Sequence, residues 1–430
     1  MRPPALSLAA LALGGCIGID GLTDAERGRV AAFDFYWQEL ADNYPLFGHA
    51  DVDWEELRRQ YRAAVPFATR PHEFYQLLAG MFSELGDLHV SFTAPDDALV
   101  EDGVAPTSLL DREGFALMPI EGRLFVVSWP EGAAPTTPEV LPAEARYPEL
   151  WRVGGAPVVA SLVGHLLLGP PDSEVELQLR WRDGAVTRHV LRRPPAGTAT
   201  THSPLGHLQR DGLWALLRAS EPYAHLELRS LRAGLSTDRL DAWIDAANDT
   251  EGLVLDLRQN LGGEMAVASS VIGKFLREPV ELVFVPPTDL VAYLFFPLDL
   301  FVHVDLEPRA PRFDKPVVVL TSSLTASMAE HTARILQREC DAVVVGERTA
   351  GAEAGLERAR GPDGGTLTYG KTRLVERTGI GLQTDGVVPD VSVRLRLEDL
   401  ERLGPERAAD DWEQRLLRAA ERALRSARRR

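Results

Sequence analysis

The stretch Leu253-Val254-Leu255-Asp256-Leu257-Arg258-Gln259-Asn260-Leu261-Gly262-Gly263 decides the fold. Its apolar start has the composition of a buried strand, the paired glycines break it, and a helical run from Glu264 to Leu276 follows. Val317-Val318-Val319-Leu320 repeats the pattern, with a Ser/Thr-rich turn and a helix from Met328 to about Gln337. Ala342 to Val345 reads as a third strand. Strand and helix alternating over 222–395 predict an α/β core. No internal repeat recurs at a fixed period.

Outward from this core the pattern changes. Residues 24 to 86 read as helices, with Phe33, Trp37, Leu40 and Tyr44, then Phe74, Leu77, Leu78, Met81, Phe82 and Leu85, at helical spacing. Pro66 and Pro71 punctuate them, and the region ends at Gly86-Asp87-Leu88-His89. Residues 113 to 195 carry short β-type runs: Gly114 to Leu117, Leu124 to Val127, and the alternating Val175-Glu176-Leu177-Gln178-Leu179. Their order around Trp151-Arg152-Val153-Gly154-Gly155-Ala156-Pro157-Val158 resembles a PDZ domain; an unspecialised β-rich insert is the other reading. Leu290 to Val304 holds Pro297 and two aspartates and reads as a packed loop or a cover over a cleft. The tail from Asp410 to Leu424 has an amphipathic helical pattern, and Arg428-Arg429-Arg430 reads as a solvated end.

Composition bounds the role. In 430 residues, 45% hydrophobic and 25% charged, there is room for two or three domains and no mark of disorder, collagen or coiled coil. The formal net charge of −17 repels a phosphate backbone, so nucleic acid is not expected as a partner. The first sixteen residues read as an export signal, with Arg2, an apolar stretch from Ala5 to Leu13, and Gly14-Gly15. Leu13-Gly14-Gly15-Cys16 resembles a bacterial lipobox, which implies cleavage before Cys16 and its lipidation; a plain signal peptide is the alternative. Lipidation would leave Cys340 without an intrachain partner, and Cys340 reads as a buried apolar residue. No His/Cys cluster has metal-ligand spacing, so no metal or other cofactor is expected.

The chemistry concentrates at Thr321-Ser322-Ser323-Leu324-Thr325-Ala326-Ser327-Met328-Ala329-Glu330. A serine between a buried strand and a helix projects beside unpaired N–H groups and the positive end of the helix dipole, where an oxyanion would be stabilised. Capping is the plain alternative for such a serine. The Gly262-Gly263 turn lies at the end of another strand, where open α/β sheets bind ligands. Together the turns could offer Gly262 or Gly263 and Met328 N–H groups to one oxygen. A phosphate loop competes as a reading, but Gly-Lys-Ser/Thr is missing.

Three blocks resemble the serine peptidase family of C-terminal-processing proteases, the tricorn core and the interphotoreceptor retinoid-binding protein. They are Asp256 to Gly263, Thr325 to Glu330, and Gly346-Glu347-Arg348-Thr349-Ala350-Gly351. Thr384-Asp385-Gly386-Val387-Val388-Pro389-Asp390 and the helical region ending at His89 fit as well. The resemblance implies a crotonase-like spiral core, with Ser327 at the nucleophile position. The lysine base of the processing proteases is absent: its place holds Ala352, and Lys274, Lys315 and Lys371 do not match it. The tricorn-like branch uses a histidine, and His89 stands where it belongs; neutral imidazole with a pKa near ~6.5 can take the serine proton. Asp87 reads as a turn former, Glu330 as a structural partner on the helix, and His331 as the rival base. Leu88 replaces the family's serine and Gln383 its orienting glutamate, although a small shift of register would bring Asp385 there instead.

The expected organisation is α/β: a signal peptide at 1–16, an N-terminal helical region at 17–95, a PDZ-like β-rich insert at 113–195, a crotonase-like spiral core at 222–395 and a C-terminal helix at 396–430. The expected function is that of an exported serine endopeptidase. Ser327, His89 and Gln383 would be catalytic, Gly262, Gly263 and Met328 would form the oxyanion hole, and Cys16 would carry the lipid. The expected place is the bacterial cell envelope, facing periplasm or exterior, with peptide or unstructured protein as substrate and membrane contact through the lipid. Leu88 and Gln383 keep a catalytically weak or inactive peptide-binding lipoprotein as the alternative. Acyl-thioester chemistry on a crotonase-like core is a third reading, disfavoured by the export signal.

Overall fold

The computed structural model describes residues 22–428 except 46, 48–51, 96–98, 100–104, 135–146, 199–214, 221, 233–235, 286–301, 353 and 377–385. The chain divides into two units, one of 1–119, 123–206 and 356–371, the other of 120–122, 207–355 and 372–430.

In the first unit, helices Asp24–Asn43, Trp54–Ala64 and Pro71–Ser83 follow the expected periodicity. Each has a start signal. Thr23 and Glu26 close a capping box, Asp53 accepts from the Glu56 N–H, and Pro71 opens the third helix. Phe33, Tyr36, Leu40, Phe74, Leu78, Met81 and Phe82 bury together, joined by Phe92, Leu367 and Tyr369. The strand Ser91–Thr93 pairs antiparallel with Thr366–Thr368. A separate six-stranded sheet has the order Ala116–Ile120, Arg123–Ser128, Glu149–Val153, Glu174–Arg180, Val186–Arg192, with Ala156–Pro157 beside the third. Alternation in Glu174–Arg180 sends Val175, Leu177 and Leu179 into a core with Leu124, Val126, Val153 and Leu167.

In the second unit, the sheet order is Ala215–Ser220, Tyr223–Leu228, Leu253–Asp256, Val317–Thr321, Val343–Gly346, Val391–Ser392. The first pair is antiparallel and the rest parallel. Successive residues of the central strands leave on opposite faces. Leu253, Leu255, Val317, Val319 and Val344 pack under helices Thr237–Ala247, Met265–Gly273 and Met328–Glu339. Val254, Val318, Leu320 and Val345 pack against Leu416, Ala420 and Leu424 of the terminal helix Pro405–Ala427. Burial on both faces explains why these strands read as unbroken apolar runs. Full burial of each such side chain contributes about 1.5–3 kcal/mol.

Two expectations change. Val302–Leu306, at the end of the stretch read as a loop or cover, is a strand paired antiparallel with Val280–Phe284. Its Val-His-Val-Asp-Leu alternation outweighs the upstream proline. Cys340 caps the helix end and is only partly buried. Among the described residues no helix is long and apolar enough to cross a membrane, and no group of three His, Cys, Asp or Glu could hold a metal.

Candidate active site

The strand Val317–Thr321 is buried throughout and delivers its end to a turn laced with side-chain bonds. Thr325 Oγ1 accepts from the Ser322 N–H at 3.0 Å and donates to the Leu257 carbonyl at 2.9 Å. The Ala326 N–H donates to the Asn260 carbonyl at 3.0 Å. The turn is thereby tied to the neighbouring Asp256–Gly263 segment.

Ser327 follows with φ 55° and ψ −130°, outside the usual range for a residue with a Cβ. Such a conformation costs about 1–3 kcal/mol and persists only where neighbours enforce it. Here the Ser327 N–H donates to the Ala352 carbonyl at 2.7 Å and to the Glu330 carboxylate at 3.0 Å. The Glu330 N–H returns to the Ser327 carbonyl at 2.8 Å. Glu330 therefore closes the helix end, and the Ser327 hydroxyl makes no cap hydrogen bond.

Glu330 is fully buried. Besides Ser327 it accepts from the N–H groups of Gly351 at 2.8 Å and Ala352 at 2.9 Å, and from the Thr349 hydroxyl. Burial pushes its pKa up to about 7, against the pull of those donors. One carboxylate thus draws 349–352 onto the helix N-terminus, in keeping with the structural role expected of Glu330. Ala352, where the processing proteases carry lysine, is buried in this arrangement.

The glycine turn touches the serine directly. A Cβ on Gly262 would lie 2.7 Å from the Ser327 Cβ and 3.1 Å from the Met328 N, so glycine alone fits. The Gly262 N–H donates to Asn260 Oδ1 at 2.9 Å, while Asn260 Nδ2 donates to the Leu228 carbonyl at 2.9 Å. This correction narrows the expected oxyanion donors: the Gly262 amide is spent holding the turn. No acceptor among the described residues is recorded for the Gly263 and Met328 amides. Sequence reasoning missed Asn260, whose position inside the Gly-rich turn was the available signal. It also left Asp256 and Arg258 as mere parts of a motif. Arg258 Nη2 contacts Asp256 Oδ2 at 2.6 Å, and His225 Nε2 lies 3.3 Å from the same oxygen. Burial raises the Asp256 pKa, but Arg258 and His225 outweigh it and hold the carboxyl well below the usual range.

His89 belongs to the other unit and is described within it. Gly86, with φ 67°, ends the helical region, and Asp87 Oδ1 accepts the His89 backbone N–H at 2.8 Å. That bond is the turn-forming role expected of Asp87. The imidazole is buried, and neither ring nitrogen has a hydrogen-bond partner among the described residues. Burial lowers its pKa below the ordinary 6.5, while the Asp87 charge works the other way. The ring is therefore neutral at pH 7, the form a base requires. Leu88 is exposed beside it, and His331 is buried on the helix after Ser327. Gln383, Asp385 and Cys16 lie outside the described residues.

Comparison with known proteins adds identity to this geometry. Residues 223–393 match the model of peptidase family S41, and residues 28–83 match the tricorn protease C1 domain. The carboxyl-terminal-processing peptidase 1, chloroplastic, of Arabidopsis thaliana is 30% identical over 139 residues, covering 32% of this chain and 26% of that protein. The aligned part is thus about a quarter of the curated relative's length. Mature CPAF complexed with lactacystin has a TM-score of 0.58 at 14% identity, covering 94% of this chain and 100% of that one. Mature CPAF alone has a TM-score of 0.57 at 14% identity, covering 90% and 96%. The two family matches bear out the resemblance read from the sequence blocks, and the matched family is one of serine-type peptidases; the structural likenesses show the shared fold.

Proposed function

We propose that this chain, whose core matches peptidase family S41, is an exported serine endopeptidase acting on peptide or unstructured protein substrates. The Ser327 hydroxyl attacks the scissile carbonyl as His89 takes its proton. A C–O bond forms and the carbonyl oxygen becomes an oxyanion facing the Gly263 and Met328 amides. The C–N bond then breaks, and His89 returns the proton to the leaving amine. Water repeats the cycle to release the acyl group from Ser327. Gln383 is assigned a hydrogen bond to the imidazole.

The observation that carries this reading is the strained Ser327, held at a strand end with its hydroxyl unused by the cap, inside the family-matched segment. The same reading gives 222–395 a crotonase-like spiral core and 113–195 a PDZ-like role in presenting a strand edge to extended peptide. It gives Cys16 the lipid anchor and the cell envelope as location. The non-catalytic alternative is not favoured, since the matched relatives are peptidases. The test is hydrolysis of an unstructured peptide and fluorophosphonate labelling of the full chain and of Ser327→Ala. Both activities should vanish in the variant; labelling that survives removes Ser327 as nucleophile. Fatty-acid labelling lost in Cys16→Ser checks the anchor, and labelling retained refutes it.

A further inference from the structure

The His89 ring poses a problem of its own. A neutral imidazole always carries one N–H. Left unpaired in a buried site, that donor is unfavourable, because it gives up its bond to water for none in the protein. Neither nitrogen has a partner among the described residues. The carboxylate beside it is Asp87, whose Oδ1 lies 3.9 Å from Nδ1. That is too long for a hydrogen bond, so a bond between them requires the ring to turn towards Oδ1.

The carboxylate is well anchored. Oδ1 accepts the His89 backbone N–H at 2.8 Å, and Oδ2 accepts the Tyr44 hydroxyl at 2.8 Å. Tyr44 is buried just past the first helix; burial, then the Asp87 charge, raise its pKa far above the usual value, so its hydroxyl remains a donor. A carboxylate has about four lone-pair sites, so two tethers leave capacity for Nδ1–H. Asp87 is also the charged group among the described residues whose field acts on the ring.

We infer that Asp87 is the positioning residue of His89: it holds the proton on Nδ1, leaves Nε2 as the base, and balances the imidazolium formed during attack. This extends the turn-forming role, which uses only the backbone N–H of His89. It rests on the reading of His89 as base, and it gives Asp87, in place of Gln383, the hydrogen bond from the imidazole Nδ1–H. It also accounts for a neutral Gln383 where the resemblance implies a carboxylate: the charge sits instead on the turn that bears the histidine.

The experiment is the pH dependence of kcat and KM for hydrolysis of an unstructured peptide by the full chain, Asp87→Asn and Gln383→Ala. Asparagine keeps an oxygen for the His89 N–H but removes the charge. Asp87→Asn should lower kcat about 10- to 100-fold with KM little changed. Its acid limb should move to lower pH, because the imidazolium loses its counter-charge. Gln383→Ala should leave that limb in place. An unmoved limb in Asp87→Asn, or a limb that moves only in Gln383→Ala, overturns the inference. A measurement that needs no change at Asp87 guards against misfolding. Nitrogen-15 histidine spectra of Ser327→Ala should show His89 protonated on Nδ1 at neutral pH; protonation on Nε2 overturns the inference. Fluorophosphonate labelling at the full rate in His89→Ala would instead remove the reading of His89 as base, and the role of Asp87 with it.

Discussion

Around Ser327 nearly every polar neighbour is paired, whereas neither ring nitrogen of His89 has a partner among the described residues. The serine sits in a conformation that its own chemistry disfavours, held by Glu330, Ala352 and the close approach of Gly262. The histidine sits in a turn closed by its own N–H, with no partner for either ring nitrogen among the described residues. Under the proposed roles, Ser327 as nucleophile and His89 as base, the difference teaches where each role is specified. A nucleophile must be placed, and backbone and buried carboxylate place it. A base must have its tautomer and charge set, and that falls to few groups, so it is the more easily disturbed half.

Substitutions can break this contrast. The largest effect is expected at the serine itself: Ser327→Ala should lower kcat by about 10⁴-fold or more without loss of folding, read by peptide hydrolysis and thermal unfolding. Asp256→Asn should destabilise by about 1–3 kcal/mol, since it removes the buried charge that Arg258 and His225 share and leaves Arg258 only the longer contact with Glu413 at 3.5 Å. Because the Asp256 pKa is depressed in the fold, its contribution is present above the ordinary carboxylate pKa and is lost as pH falls through the folded value. The gap between the two proteins should therefore narrow in acid, as measured by denaturant unfolding at several pH values.

Gly262→Ala meets the Ser327 Cβ at 2.7 Å and adds a side chain at φ 97°. It should cost about 100-fold in kcat, because a displacement of about 1 Å at the reacting group has that effect. Glu330→Gln replaces an acceptor of four hydrogen bonds with a group that is half donor. A loss of about 1–3 kcal/mol in stability is expected. The Glu330 pKa is raised to about 7 in the fold, so its ionisation opposes folding as pH rises towards 7. The stability of Glu330→Gln should lack that slope. The smallest effect concerns the base: the acid limb of kcat/KM should fall below pH 6.5, since burial lowers the His89 pKa. A limb above that value would mean that the ring is not the buried one described.

Much of this frame was legible in the sequence. Leu253–Asp256 and Val317–Thr321 are short apolar runs ended by turn residues, and both are strands. The alternation of Val175, Leu177 and Leu179 identified a half-buried strand for the same reason. Local spacing carries that information. What stayed hidden depends on distant partners. Glu330 binds Thr349, Gly351 and Ala352, some twenty positions on, and no period announces the pairing. Nor does serine reveal that it will be forced to φ 55°. The capture of the Gly262 amide by Asn260 is local, yet a Gly-Gly pair reads as two free donors until the asparagine side chain is placed. Asp87 was read for its turn, and only the buried ring beside it points to a second use.

The central claim is an activated serine at position 327. The most direct measurement is the pH-dependent rate of fluorophosphonate labelling, with the modified residue mapped by mass spectrometry. The account predicts a single label on Ser327, lost in Ser327→Ala, with the rate falling on the acid side below pH 6.5. A label on another residue, or labelling undiminished in Ser327→Ala, would contradict it.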